Sequence, residues 1–85
     1  MDDLGPDPQR VASRTDLVAF VGALRDDLHR NPDQWENPDL DRFLEALARW
    51  VDDMPGWFKH RHEPEPEQPS WQLIAHILHA AAIYE

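Results

Sequence analysis

Between Pro55 and Ser70 the chain carries four prolines and three glutamates, as Pro55-Gly56-Trp57-Phe58 and then Glu63-Pro64-Glu65-Pro66-Glu67-Gln68-Pro69. Proline fixes φ and has no backbone N–H to donate, so a stretch this rich in it belongs neither in a helix interior nor in a central strand. The segment reads as a connection, and Trp57 and Trp71 near its ends argue for an ordered one, since indoles gain most when they pack. Whatever this chain folds into must place apolar elements on both sides of a long acidic linker.

Eighty-five residues supply one domain and one core. Cysteine is absent, which excludes disulfides, thiolate metal sites and cysteine nucleophiles. Seventeen acidic residues against eight basic ones give a formal charge of −9. That balance disfavours nucleic acid, whose phosphates require a cationic footprint, and anionic membrane surfaces for the same reason. It suits a basic protein partner. Met1-Asp2-Asp3-Leu4-Gly5-Pro6 has neither the basic nor the apolar region of a secretory leader, and no apolar run is long enough for a membrane span. A cytoplasmic protein is expected, and the preference for arginine over lysine, seven to one, suggests a GC-rich bacterial source.

Residues 1–12 show no apolar period around Pro6 and Pro8 and read as a flexible N-terminal tail, leaving residues 13–85 as a single helical domain. A first helix is expected from about Arg14 to His29, capped by Ser13 with Asp16 in the capping-box position and stopped by Asn31-Pro32. Leu17, Phe20, Val21, Leu24 and Leu28 share one face of it. Trp35 is expected to anchor the next connection onto the bundle. The second helix starts with Asn37 as N-cap and Pro38 at N1. Its buried stripe would be Leu40, Phe43, Leu44, Leu47, Trp50, Val51 and Met54, and Met54-Pro55-Gly56-Trp57 fits a type II turn that ends it. Ser70 caps a third helix, with Ile74, Ile77, Leu78, Ala81 and Tyr84 inward, Trp71 packed back onto the bundle, and His76 and His79 facing water. No period-two alternation competes. The fold expected is an all-α three-helix bundle with a long Pro/Glu-rich connection between helices 2 and 3.

Trp35-Glu36-Asn37, Phe43-Leu44-Glu45-Ala46-Leu47, Trp50, the run Pro66-Glu67-Gln68-Pro69-Ser70-Trp71 and the terminal Ala82-Ile83-Tyr84-Glu85 together resemble a family of small bacterial helical domains of unknown function. The resemblance spans about residues 13–85, and the Pro-Glu-Gln-Pro-Ser-Trp run is its most specific part. It implies a compact helical domain and carries over no catalytic residue.

Chemistry is sparsely signalled. His60 and His62 fall in a connection while His76 and His79 are i, i+3 on a helix, and nothing in the spacing makes the pairs converge as zinc ligands would. The pairs Asp26-Asp27 and Asp52-Asp53 are adjacent on helices and point about 100° apart, so they do not share a site. Ser13 and Ser70 are accounted for as caps, and three glycines build no phosphate-cradling loop. No cofactor, metal or catalytic residue is expected. The candidate protein-binding patch is Trp57 and Phe58 with Glu63, Glu65 and Glu67 beside them, since tryptophan is enriched at binding hot spots. The leading expectation is a non-enzymatic acidic protein-binding module, in its concrete form an immunity- or antitoxin-like inhibitor of a basic effector. The alternative is a homodimeric structural or regulatory accessory domain. The oligomeric state, monomer or homodimer, is open.

Overall fold

The computed structural model describes residues 6–84. A short 3-10 turn at Pro8–Arg10 leads into α1, Arg14–Arg30; a second 3-10 turn at Pro32–Gln34 leads to α2, Leu40–His60; and α3 runs over Trp71–Ile83. Among the described residues there is no strand, and the all-α three-helix arrangement expected from the sequence is the one found.

The caps of α1 and α3 are those the sequence predicts. Ser13 Oγ accepts from Asp16 N at 3.0 Å while Asp16 Oδ2 accepts from Ala12 N at 3.0 Å, a variant of the capping box in which the acid returns to the residue before the cap. Ser70 Oγ accepts from Leu73 N at 2.9 Å. Trp35 anchors its connection as expected: its Nε1 donates to Asp27 Oδ2 at 2.9 Å, and Asn31 Nδ2 donates to the other oxygen of the same buried carboxylate at 3.0 Å. Asp27, which stands in the sequence only as one of an adjacent acidic pair, is thus the polar latch that fastens the α1–α2 connection.

The start of α2 differs from expectation. Its N-cap is Asp39, whose side chain accepts from Arg42 N at 2.9 Å and pairs with Arg42 Nε at 3.3 Å. Asn37 is buried and serves the far end of α3 instead. Its Nδ2 donates to Ala81 O at 3.1 Å and Tyr84 O at 2.7 Å, and its own N–H donates to Ala82 O at 2.9 Å. The last carbonyls of a helix have no partners within it. Here an asparagine 44 to 47 residues earlier in the chain supplies them.

The end of α2 differs too. The helix does not turn at Pro55-Gly56 but continues through both to His60. Pro55 removes the N–H that would reach Val51 O, at an exposed stretch of the helix. Continuing keeps Trp50, Trp57 and Phe58 on one helix, where Trp50 and Phe58 are buried. The true stop is a Schellman turn. His62 adopts φ 59°, Glu63 N donates to Phe58 O at 3.0 Å and His62 N to Lys59 O at 3.1 Å. The connection is therefore residues 61–70, all of them exposed.

α3 is the central element. It packs on α2, on α1 and on the Pro8–Arg10 turn, whereas α1 and α2 make little contact with each other. Its sequence is apolar on nearly every side, which is what a helix covered on several faces requires. Ala75, Ala81 and Ala82 are fully buried and admit its neighbours closely. His76 and His79, expected in water, are half-buried, because α2 lies over the face that holds them. Trp71, expected to be packed, is 42% exposed at the first turn. Residues 8–11 are not tail: Pro8 is buried, and Val11 is 4% exposed in a cluster with Phe20, Leu24, Trp35, Ala75 and Ala82. Residues 1–5 of the expected tail lie outside the described residues.

Candidate functional site

The candidate residues around the 55–70 segment are brought together only in part. Phe58 is buried, so its ring is unavailable to a partner. Trp57 is half-buried at the centre of an aromatic cluster. Its ring centroid lies 5.4 Å from Trp50 and 4.8 Å from Phe58, both edge-on, and 5.3 Å from His76. The Arg61 guanidinium covers its outer face at 4.6 Å. Arg61 Nε in turn reaches Glu63 Oε1 at 3.3 Å, so Glu63 is tied back to the helix end. Glu65 and Glu67 remain as exposed acids on the connection. The aromatic and acidic halves of the patch are therefore separate: the rings belong to the packing between α2 and α3, and the acids line a proline-stiffened strap outside it.

Beneath that strap lies a cavity of about 240 Å³, walled by Trp57, Arg61, Glu63, Pro66, Gln72 and His76. Burial, followed by the nearby positive charge of Arg61, holds His76 below its ordinary imidazole range. The other polar walls are already engaged, Arg61 by Glu63, Gln72 Nε2 by Gln9 O at 2.9 Å, and Ser70 by the α3 cap. The cavity reads as a by-product of the strap's path. Among the described residues, no three of the histidines and carboxylates converge on a point that would hold a metal ion. Tyr84 OH donates to Asp53, and that bond raises the phenol above its ordinary range.

A different surface is open and apolar. α3 holds α1 and α2 from one side and leaves them apart on the other. The resulting groove, about 350 Å³, has Val21, Leu24 and Leu28 on one wall, Leu40 and Phe43 on the other, and Leu78 in the floor. Arg25 and Asp39 stand at its edges. Of the exposed large apolar side chains of these helices, Val21 and Leu40 line it, and Val18 on α1 and Leu44 and Val51 on α2 continue their lines by helical spacing. Val21, Leu40, Leu44 and Val51 had been expected in the core. They are outside because they lie round each helix from the face that meets the core: at about 100° per residue Leu40, Leu44 and Val51 share one line to the side of buried Ala46 and Trp50, and Val21 lies to the side of buried Phe20 and Leu24.

The architecture defines a small all-α domain of three helices with an open apolar groove and an acidic strap. Within that class the chain belongs to a family of unknown function (DUF7660), whose model matches residues 13–85. No curated protein and no solved structure matches it. No helix among the described residues is long and apolar enough to cross a membrane.

Proposed function

We propose that this chain is a non-enzymatic protein-binding module that docks partners through the groove between α1 and α2. The observation that carries the reading is the alignment of five exposed large aliphatic side chains along the two helices that wall an apolar groove. Contiguous exposed apolar surface rimmed by polar residues is the usual mark of an interaction site. Three of the aspartates are held in structural roles: Asp27 by Trp35 and Asn31, Asp39 by the α2 cap, and Asp53 by Tyr84.

A second surface, the strap bearing Glu65 and Glu67, favours the more concrete version in which the partner is a basic effector and the chain its immunity- or antitoxin-like inhibitor. With −9 formal charge, the chain would attract such a partner over several ångströms before contact. A bacterial, cytoplasmic setting is part of the same proposal. The two surfaces are separated by a capture experiment with the intact chain, a Leu40→Gln/Leu44→Gln variant and a Glu65→Gln/Glu67→Gln variant. Loss of the captured protein, another copy of this chain included, with the leucine pair supports groove docking. Loss with the glutamate pair supports the basic effector. If no captured protein depends on the leucine pair, the groove reading fails.

A further inference from the structure

The groove's two walls carry opposite charge. On α1, Arg14, Val18, Val21 and Arg25 follow one another at i, i+4, i+7 and i+11, so two arginines bracket the exposed valines on one line of the helix. On α2, each exposed aliphatic residue is followed by an acid: Leu40 by Asp41, Leu44 by Glu45, Val51 by Asp52. Those acids also fall on one line, about 100° round from the apolar stripe. All five charged side chains are exposed. The ion pairs of the described residues join other partners, Arg10 to Asp7, Arg42 to Asp39 and Arg61 to Glu63. One face of the molecule thus has a basic edge, an apolar middle and an acidic edge.

A surface of that kind is complementary to itself. We propose that the groove is occupied by a second copy of this chain, related by a two-fold axis running along the groove, so that α1 of each copy lies over α2 of the other. The inference rests on the reading of the groove as a docking surface. Under this operation Arg14 and Arg25 of each copy meet the Asp41, Glu45 and Asp52 line of its partner, and the contact is made twice, as an isologous interface requires. The other two-fold, across the groove, would lay α1 on α1 and α2 on α2 and set like charges against each other. The formal charge of −9 on each copy opposes association. The five charges named on this face sum to only −1, however, and salt screens charge beyond about 8 Å, while the edge pairs act at contact. Two helices side by side present a face about 30 Å by 20 Å, on the order of 600 Å² per copy, which reaches the lower end of stable interfaces.

Sedimentation equilibrium of the full chain tests this, with circular dichroism to show that each variant is folded. The intact chain should sediment at twice 9.9 kDa in the micromolar range, and Leu40→Gln/Leu44→Gln should sediment as a monomer. Arg25→Glu alone and Glu45→Lys alone should each weaken the dimer by about tenfold or more, because each sets like charges across the interface. Arg25→Glu/Glu45→Lys in one chain should restore it, and a mixture of the two single variants should associate more tightly than either alone. A monomeric intact chain overturns the proposal, as does a dimer that ignores the leucine pair. A dimer that needs the leucines but is not rescued by the double reversal overturns the arrangement of α1 over α2. A monomer that still loses a captured partner in the leucine variant overturns the second copy as occupant while leaving groove docking intact.

Discussion

At the scale of single residues, the structure rests on polar side chains whose roles the sequence conceals. Asp27 is the clearest. Its buried carboxylate satisfies the Trp35 indole and the Asn31 amide together, so Asp27→Ala leaves two donors without an acceptor and should cost about 2–3 kcal/mol. Denaturant melts compared with Asp26→Ala, at an exposed position one residue away, check this, because the neighbour should cost almost nothing. His62 works in the opposite direction. It holds φ 59° at the Schellman position, where glycine is unstrained and an L side chain is not. Its side chain is exposed, so His62→Gly should raise stability by about 1 kcal/mol. Unchanged or lower stability in chemical unfolding would show that the imidazole makes a compensating contact. Lys59 and His60 in the last turn and Pro64 just beyond are the signals of this stop, whereas the glycine that would mark it most plainly stands six residues earlier, at Gly56, where it ends nothing.

Elements show where reading from sequence succeeds and where it stops. Both serine caps, the extent of α1 and the anchoring of Trp35 are legible because each depends on residues within a few positions of one another. The start of α2 is ambiguous in the sequence because Asn37 and Asp39 both satisfy cap preferences, and only α3, distant in sequence, decides between them. Pro55-Gly56 carries a strong local turn signal, and burial of Trp50 and Phe58 on the same helix overrides it. Of the candidate patch, the acids of the strap were legible as exposed, whereas the burial of Phe58 was not, since it follows from the helix continuing. If α2 is helical through this point, Pro55→Ala restores a backbone donor and Gly56→Ala fills open space. Together they should stabilise the domain by about 1–3 kcal/mol. Were the segment a type II turn, the same pair would destabilise it. His76 extends the argument to pH. Its imidazole sits below the ordinary value of 6.5 in the folded chain, mainly through burial. The unfolded chain therefore takes up the proton first as pH falls, so stability is fully present above about 6.5 and declines as pH drops toward the folded value. Thermal melts across that window should show His76→Gln losing less stability with acid than the intact chain. An identical acid dependence in both would remove His76 as the cause.

On the scale of the whole molecule, one short apolar helix organises everything else, and the N-terminal segment completes its cover. α3 is flanked by α1, by α2 and by the Pro8–Arg10 turn, so three separate stretches of chain close around fully buried alanines. The family match begins at residue 13, yet Val11 lies in the main core cluster and Gln9 O accepts from Gln72 of α3. The folding unit of this chain therefore begins before its recognisable sequence does. A chain started at Ser13 loses the burial of Pro8 and Val11 and uncovers one side of α3. At about 25 cal/mol per Å² of apolar surface returned to water, such losses amount to roughly 2–4 kcal/mol, a large fraction of what a domain this small has. Urea unfolding of the chain from Ser13 should give a lower midpoint than that of the full chain. Val11→Ala within the full chain should reproduce part of the loss, about 1–2 kcal/mol, by leaving a cavity in the core cluster it belongs to. If the shortened chain unfolded at the same urea concentration as the full one, the Pro8–Val11 segment would be an ornament on a bundle complete without it. The groove between α1 and α2 would then be one of two uncovered sides of the fold. With the segment in place, that side of α3 is covered by Pro8 and Val11, while the groove between α1 and α2 stays open.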